Sequence, residues 1–196
     1  MRLSLSICLL LLALNLTLTF SALGQSQPSS STLDISPSPV DAALSAALEK
    51  YFTLYAAKDL DALMSLWSTK SPDYASFKKE LQQQFLAEDD RFDAPTISGV
   101  KADADNASLR ATINRTAVNL KTGQKRKQHI ARNFSFVREN GQWKIWRSVS
   151  AESDLAAALV KAGSEPERTK LLAAEKDSVT ASLVQALNDQ GLRFYN

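Results

Sequence analysis

The sequence predicts an α+β fold: three N-terminal helices packed on a curved, mostly antiparallel four-stranded sheet, followed by C-terminal helices. Three observations predict it. Apolar residues recur at helical spacing from Asp41 to about residue 88. From about residue 95 they alternate with polar residues, which is strand periodicity. The pair Asn140-Gly141 separates two such runs, and this dipeptide is the strongest short hairpin signal.

The first helix is expected over 41–57, with Asp41 as its cap and Leu44, Leu48, Tyr51, Phe52 and Tyr55 on one face. Asp59 caps a short second helix carrying Leu60, Leu63, Met64 and Trp67. Ser71-Pro72 reads as an N-cap with proline at the first helical position, opening a third helix. Its apolar stripe is Tyr74, Phe77, Leu81 and Phe85, and it ends near Glu88-Asp89-Asp90. Strands follow at 95–102, from about 108, at 126–138 and at 142–150. Apolar positions shift from Ile113 to Val118 and Leu120, which predicts a bulge in the second strand. A two-residue turn at Asn140-Gly141 sets Phe136 opposite Ile145 and Phe134 opposite Arg147. Trp143 is expected in the core against the first helix. Further helices are expected over 152–162, 164–175 and 178–195.

The N-terminus has the layout of a secretory signal. Arg2 supplies positive charge, Ile7–Leu14 is an unbroken apolar run, and Ala22-Leu23-Gly24 offers small residues for cleavage before Gln25. An uncleaved anchor is the competing reading. Polar residues from Ser4 to Thr19 interrupt the apolar stretch and favour cleavage. The expected organisation is a signal peptide at 1–24, a disordered Ser/Pro-rich linker at 25–40, a folded domain at 41–152 and a helical extension at 153–196. The expected location is secreted or periplasmic.

The chain has 196 residues, one Cys, one His and a formal net charge of +2. An intrachain disulfide and a Cys/His zinc site are excluded by counting, and no metal or other cofactor is expected. The small charge gives no footprint for nucleic acid. The run Lys125-Arg126-Lys127 flanks a turn and reads as a solvated strand end. The sequence contains neither a Gly-rich phosphate loop nor a Gly-x-Ser-x-Gly elbow. Three Asn-x-Ser/Thr triplets, at Asn106, Asn114 and Asn133, are read as coincidental unless the source is eukaryotic.

Residues 41–152 resemble the nuclear transport factor 2-like superfamily, in its SnoaL-like branch. The carriers are the aromatic first helix with Tyr51-Phe52 and Leu54-Tyr55, the following Lys58–Leu63 and Trp67, and the final hairpin from Phe134 to Ile145. The resemblance implies a cone-shaped fold, with an apolar pocket opening at one end of a bent sheet. It does not settle function, because members include isomerases, dehydratases and cyclases beside non-enzymatic binding and dimerisation modules. The tail carries a second resemblance. Leu187, Gly191 and Phe194, with Tyr195 beside them, are spaced as in the first helix of a tetratricopeptide repeat. Either the chain leads into a longer repeat protein, or the last helix packs on the domain or on a second copy. The first reading predicts a loosely docked tail with its apolar stripe exposed.

Candidate site residues follow from residue type. His129 is the only imidazole that could act as acid or base. It has no second His to pair with, and strand parity makes it an exposed residue. Tyr51, Tyr55 and Trp67 could line a pocket, or could simply be core. Arg132 and Arg147 share the parity of the hairpin aromatics, so they could form a cationic patch for a carboxylate or polar head group, or pair with helix carboxylates. The favoured expectation is a non-catalytic exported module. It binds a small apolar ligand or forms a homodimer through the sheet, and its C-terminal helices contact a protein partner. The alternative is a SnoaL-like enzyme performing proton transfer.

Overall fold

The computed structural model describes residues 38–190. The expected signal peptide, most of the linker, and Gly191, Phe194 and Tyr195 lie outside the described residues. Helix α1 spans Pro39–Ala56, α2 Leu60–Met64 and α3 Tyr74–Ala87. Strands β1 (Glu88–Phe92), β2 (Thr96–Ala102), β3 (Asn106–Asn119), β4 (Lys125–Glu139) and β5 (Gln142–Ser150) follow. Helices α4 (Ala151–Lys161), α5 (Glu165–Ala174) and α6 (Ala181–Asp189) come next, with a 3-10 turn at Lys176–Ser178 between the last two.

Two expected caps move. Helix α1 starts earlier than Asp41: Ser38 accepts the Asp41 amide at 3.1 Å, and Pro39 occupies the first turn, where its missing N–H costs nothing. Asp59 does cap α2, accepting from the Ala62 amide at 3.0 Å. Ser71 is not the cap of α3, which begins at Tyr74. Its hydroxyl instead donates to the Trp146 carbonyl at 2.6 Å and accepts from the Asp73 amide at 3.1 Å.

The sheet has five strands rather than four. Glu88–Phe92, expected at the end of a helix, is a strand paired with Arg115–Asn119 of β3. The five strands pair antiparallel throughout, in the order β1-β3-β4-β5, with β2 also on β3. So β1 and β2 lie end to end along one edge of β3, broken at Asp93-Ala94-Pro95, where the Asp93 amide donates to the Asn114 carbonyl at 3.0 Å. The expected bulge in β3 is absent from its ladder with β4, which runs in one register from Asn106↔Val137 to Val118↔Lys125. Inward parity continues through Ala117, which is buried, while Leu120 is exposed. The irregularity lies in β2, between Ser98 and Lys101, where Gly99 adopts a φ of +61°.

The β4–β5 hairpin turns through Asn140 (φ 50°) and Gly141 (φ 78°), the left-handed pair that a two-residue turn requires. Phe136 faces Ile145 as expected. Beyond it the register shifts: Ser135 pairs with Arg147, and Phe134 with Ser148. Trp146 is the extra residue of a bulge, and it turns Arg147 away from Phe134.

Helices α1–α3 cover one face of the sheet. Leu44, Leu48, Tyr51 and Phe52 of α1, Leu63 and Met64 of α2 and Leu81 of α3 are buried in one core with Leu109, Ala111, Ile113, Phe134, Phe136 and Ile145. Tyr51 meets Phe134 edge-on at 5.5 Å, and Trp67 stacks on Phe77 at 4.3 Å. Each such side chain contributes about 1.5–3 kcal/mol by leaving water. Trp143 is half-buried at the margin of this core, with the Arg138 guanidinium 5.7 Å from its ring centre. The outer edge of β5 is covered as well. Ile145 donates to the Leu66 carbonyl at 2.8 Å, and Ser68 donates to the Ile145 carbonyl at 2.9 Å.

The tail packs on the opposite face, to which Arg110 and Asn133 point by strand alternation. Arg110 pairs with Glu175 and donates to the Ser178 hydroxyl at 2.5 Å, and Asn133 donates to Asp154 at 2.8 Å. Leu155, Ala156 and Leu159 of α4 bury Leu183, Ala186 and Leu187 of α6 in a second, smaller core. Leu187 is 7% exposed, so its expected exposure is not observed. The physical reason is that α4 itself supplies the cover.

Candidate functional site

The inner face leaves a cavity of about 170 Å³ between α1, α3 and the curled strands. Its apolar lining follows from helical spacing. Tyr51, Phe52 and Tyr55 come from one face of α1, and Phe77 and Leu81 from one face of α3. Phe92 of β1 and Ile130 of β4 close it. Glu80, Gln84, Arg115 and Arg132 supply the polar groups.

The two arginines differ. Arg115 is saturated by acids. Its Nε and Nη2 donate to the two Asp90 oxygens, both at 2.9 Å, Nη2 also reaches Glu88 at 2.7 Å, and Nη1 donates to Gln128 at 3.0 Å. Glu88 is shared further, with Gln84 at 2.7 Å and Arg126 at 2.8 Å. Strand β1 makes this cluster, because alternation sends Glu88 and Asp90 to the same side. Burial raises the Asp90 pKa above the ordinary carboxylate value, against the opposing pull of Arg115. Arg132 makes no carboxylate contact among the described residues. Its Nε donates to the Ser148 hydroxyl and its Nη2 to the Ser148 carbonyl, both at 3.0 Å.

Both phenols stay protonated at neutral pH. Burial pushes Tyr51 up, outweighing the Arg132 charge and the Ser148 hydroxyl, which act the other way. Burial, with the nearby Tyr51 and Asp90, pushes Tyr55 up too. The phenols are therefore hydrogen-bond donors, not bases, in this setting.

Of the residues singled out in the sequence, Tyr51, Tyr55 and Arg132 come together around the cavity. Trp67 is buried behind Phe77, and its indole nitrogen has no hydrogen-bond partner. Arg147 is not beside Arg132. The bulge sends it outward, where it is 55% exposed and lies 3.8 Å from Asp73 and 3.9 Å from Asp154. His129 is exposed, with Nδ1 2.9 Å from the Asn114 side-chain oxygen, and the Asn114 amide donates to Asp93 at 3.2 Å. Arg115, Phe77, Gln84 and Ile130 were not anticipated. For Arg115 the available signal was the Glu88-x-Asp90 spacing, which marks one face of a strand. Among the described residues no cluster of three or more His, Cys, Asp or Glu could hold a metal ion, and no helix is long and apolar enough to cross a membrane.

This arrangement, helices first and then a curled antiparallel sheet, is consistent with the cone-like nuclear transport factor 2-like fold. Residues 46–154 match the family described as anti-sigma-I factor RsgI9, C-terminal domain, and the chain belongs to that family. Among solved structures, a conserved protein from Planctomyces limnophilus matches with a TM-score of 0.51 and 15% identity, over 57% of this chain and 97% of that one. It shares the fold. A ketosteroid isomerase-like protein from Erwinia carotovora atroseptica matches at 0.48 and 20% identity, over 56% and 92%. A nuclear transport factor 2-like superfamily protein from Salmonella enterica serovar Typhimurium matches at 0.47 and 12%, over 55% and 87%. These two are weaker likenesses. A search among curated proteins finds no match.

Proposed function

We propose that the unit from α1 to β5 is a non-catalytic binding module that receives a small ligand in the aromatic cavity. The observation that carries this reading is the cavity itself. It opens on the inner face between α1, α3 and the sheet, and its wall combines five aromatic rings with four polar side chains. One fact supports binding over proton-transfer catalysis. The only imidazole, His129, is exposed, pairs with an amide and does not line the cavity. Membership in a family named for an anti-sigma factor domain fits an input role, in which occupancy of the cavity is reported to the rest of the protein. With export directed by residues 1–24, the module would meet its ligand outside the cytoplasm. The tail then serves as a docked extension that leads toward a protein partner.

The test is methyl NMR of the purified chain titrated with benzyl alcohol, a neutral probe of the right size. The expected result is saturable shifts at Leu81 and Ile130, with the Ile130 shift abolished in Leu81→Trp, which fills the space. Shifts spread over the surface, or none at these methyls, refute the reading.

A further inference from the structure

We infer that the cavity takes a small monocarboxylate with a ring-sized apolar body, its head group seated on the Nη1–Nη2 edge of Arg132. This rests on the cavity being a binding site. Arg132 lines the cavity and uses only its Nε and Nη2 toward Ser148. The end-on edge, Nη1 with the second Nη2 hydrogen, is unclaimed among the described residues. Two parallel N–H bonds on a planar cation match the two oxygens of a carboxylate.

The charges around the cavity narrow the class. Arg115 is neutralised by Asp90 and Glu88, so it has no charge to offer. Among the described residues that line the cavity, Arg132 is the cation with no carboxylate partner. Glu80 also lines the space but is exposed on α3, where water screens it, and its repulsion grows with each negative charge the ligand carries. One cation facing one anion is the balance a semi-enclosed site tolerates, because an unpaired buried charge is costly. A dianion such as a phosphate monoester would leave charge unmatched.

Volume sets the size. A dry apolar cavity of about 150 Å³ holds benzene. At about 170 Å³ this one holds a single ring or a short branched chain. Tyr51, Phe52, Tyr55 and Phe92 line the space around such a body.

The experiment compares benzoate with benzyl alcohol on the purified chain, again by methyl NMR at Leu81 and Ile130. Benzoate is expected to bind about tenfold or more tightly than the alcohol, as a charge-assisted hydrogen-bonded pair allows. Arg132→Gln should erase that preference and leave the alcohol's affinity in place. Arg132→Lys, which keeps the charge and loses the fork, should lower it severalfold, and it decides the matter if the glutamine variant does not fold. Equal affinities in the wild type, or a preference that survives both substitutions, overturns the carboxylate assignment while the cavity remains a binding site. If neither probe moves these methyls, the binding reading falls and the assignment with it.

Discussion

Ser71 donates its hydroxyl to the main-chain carbonyl of Trp146 at 2.6 Å, joining two points 75 residues apart in sequence. The carbonyl it satisfies belongs to the extra residue of the β5 bulge. Pairing at that residue is interrupted, and an unpaired buried acceptor is expensive. Ser71 is therefore a structural clamp on the hairpin, and it is 6% exposed.

Replacing Ser71 by Ala should cost about 1–3 kcal/mol, the penalty for leaving a buried polar group unsatisfied. Ser76→Ala should cost far less, because the Ser76 hydroxyl bonds locally to the Asp73 carbonyl in an exposed position. Urea unfolding of the two variants checks the difference. Equal losses would mean that the clamp carries no energy.

Trp67 combines large apolar burial with an orphaned N–H. Trp67→Ala should destabilise by about 3–5 kcal/mol through the cavity it leaves. Trp67→Phe should cost much less, because it deletes the unpaired donor and keeps a ring against Phe77. Thermal unfolding of both variants measures the ratio.

Two aspartates should respond to pH in opposite senses. The Asp90 pKa is raised in the fold, chiefly by burial, so the folded state holds its proton more tightly than the unfolded state. Its contribution is full below the unfolded value and is lost as pH rises through the folded value. Relative to Asp90→Asn, the wild type should therefore lose stability as pH climbs above about 3.8. The Asp103 pKa is lowered by the backbone amides of Asp105 and Asn106, which donate to it at 2.9 and 2.7 Å. Its contribution is present above the unfolded value and is lost as pH falls through the folded one. Carboxyl-carbon NMR titration should place the two midpoints on opposite sides of 3.8.

The tail should open before the main core. Its small cluster joins the sheet through α4 and through the Arg110–Glu175 and Asn133–Asp154 contacts. Few buried apolar contacts mean low local stability. Arg110→Ala should speed amide exchange over α6 and leave Leu44–Phe52 of α1 unchanged. Uniform acceleration across both regions would show that tail and core unfold as one unit.

What could be read from the sequence was what local chemistry determines. The α1 stripe from Leu44 to Tyr55, the Asp59 cap, and the Asn140-Gly141 turn with Phe136 opposite Ile145 all depend on nearby residues. Strand β1 could not be read this way. Glu88-Asp89-Asp90-Arg91 has no apolar alternation, and β3 pairing and Arg115 hold it as a strand. The same kind of limit applies to the candidate site. Parity placed Arg132 on the inner face, but it failed for Arg147 because it counts residues and a bulge adds one. The cover over Leu187 was missed because its partner helix lies some thirty residues earlier, on a face that periodicity within α6 does not report.

The bulge has a consequence for how this hairpin tolerates changes in chain length. Because Trp146 has no partner in β4, a gene lacking that codon would still match Phe136 with Ile145, Ser135 with Arg147 and Phe134 with Ser148. A codon lost or gained between Trp143 and Ile145 would move every later side chain to the other face. It would replace Ser148 as the seat of the Arg132 guanidinium. Length variation in β5 is thus neutral for pairing at one position and inverts the strand at its neighbours.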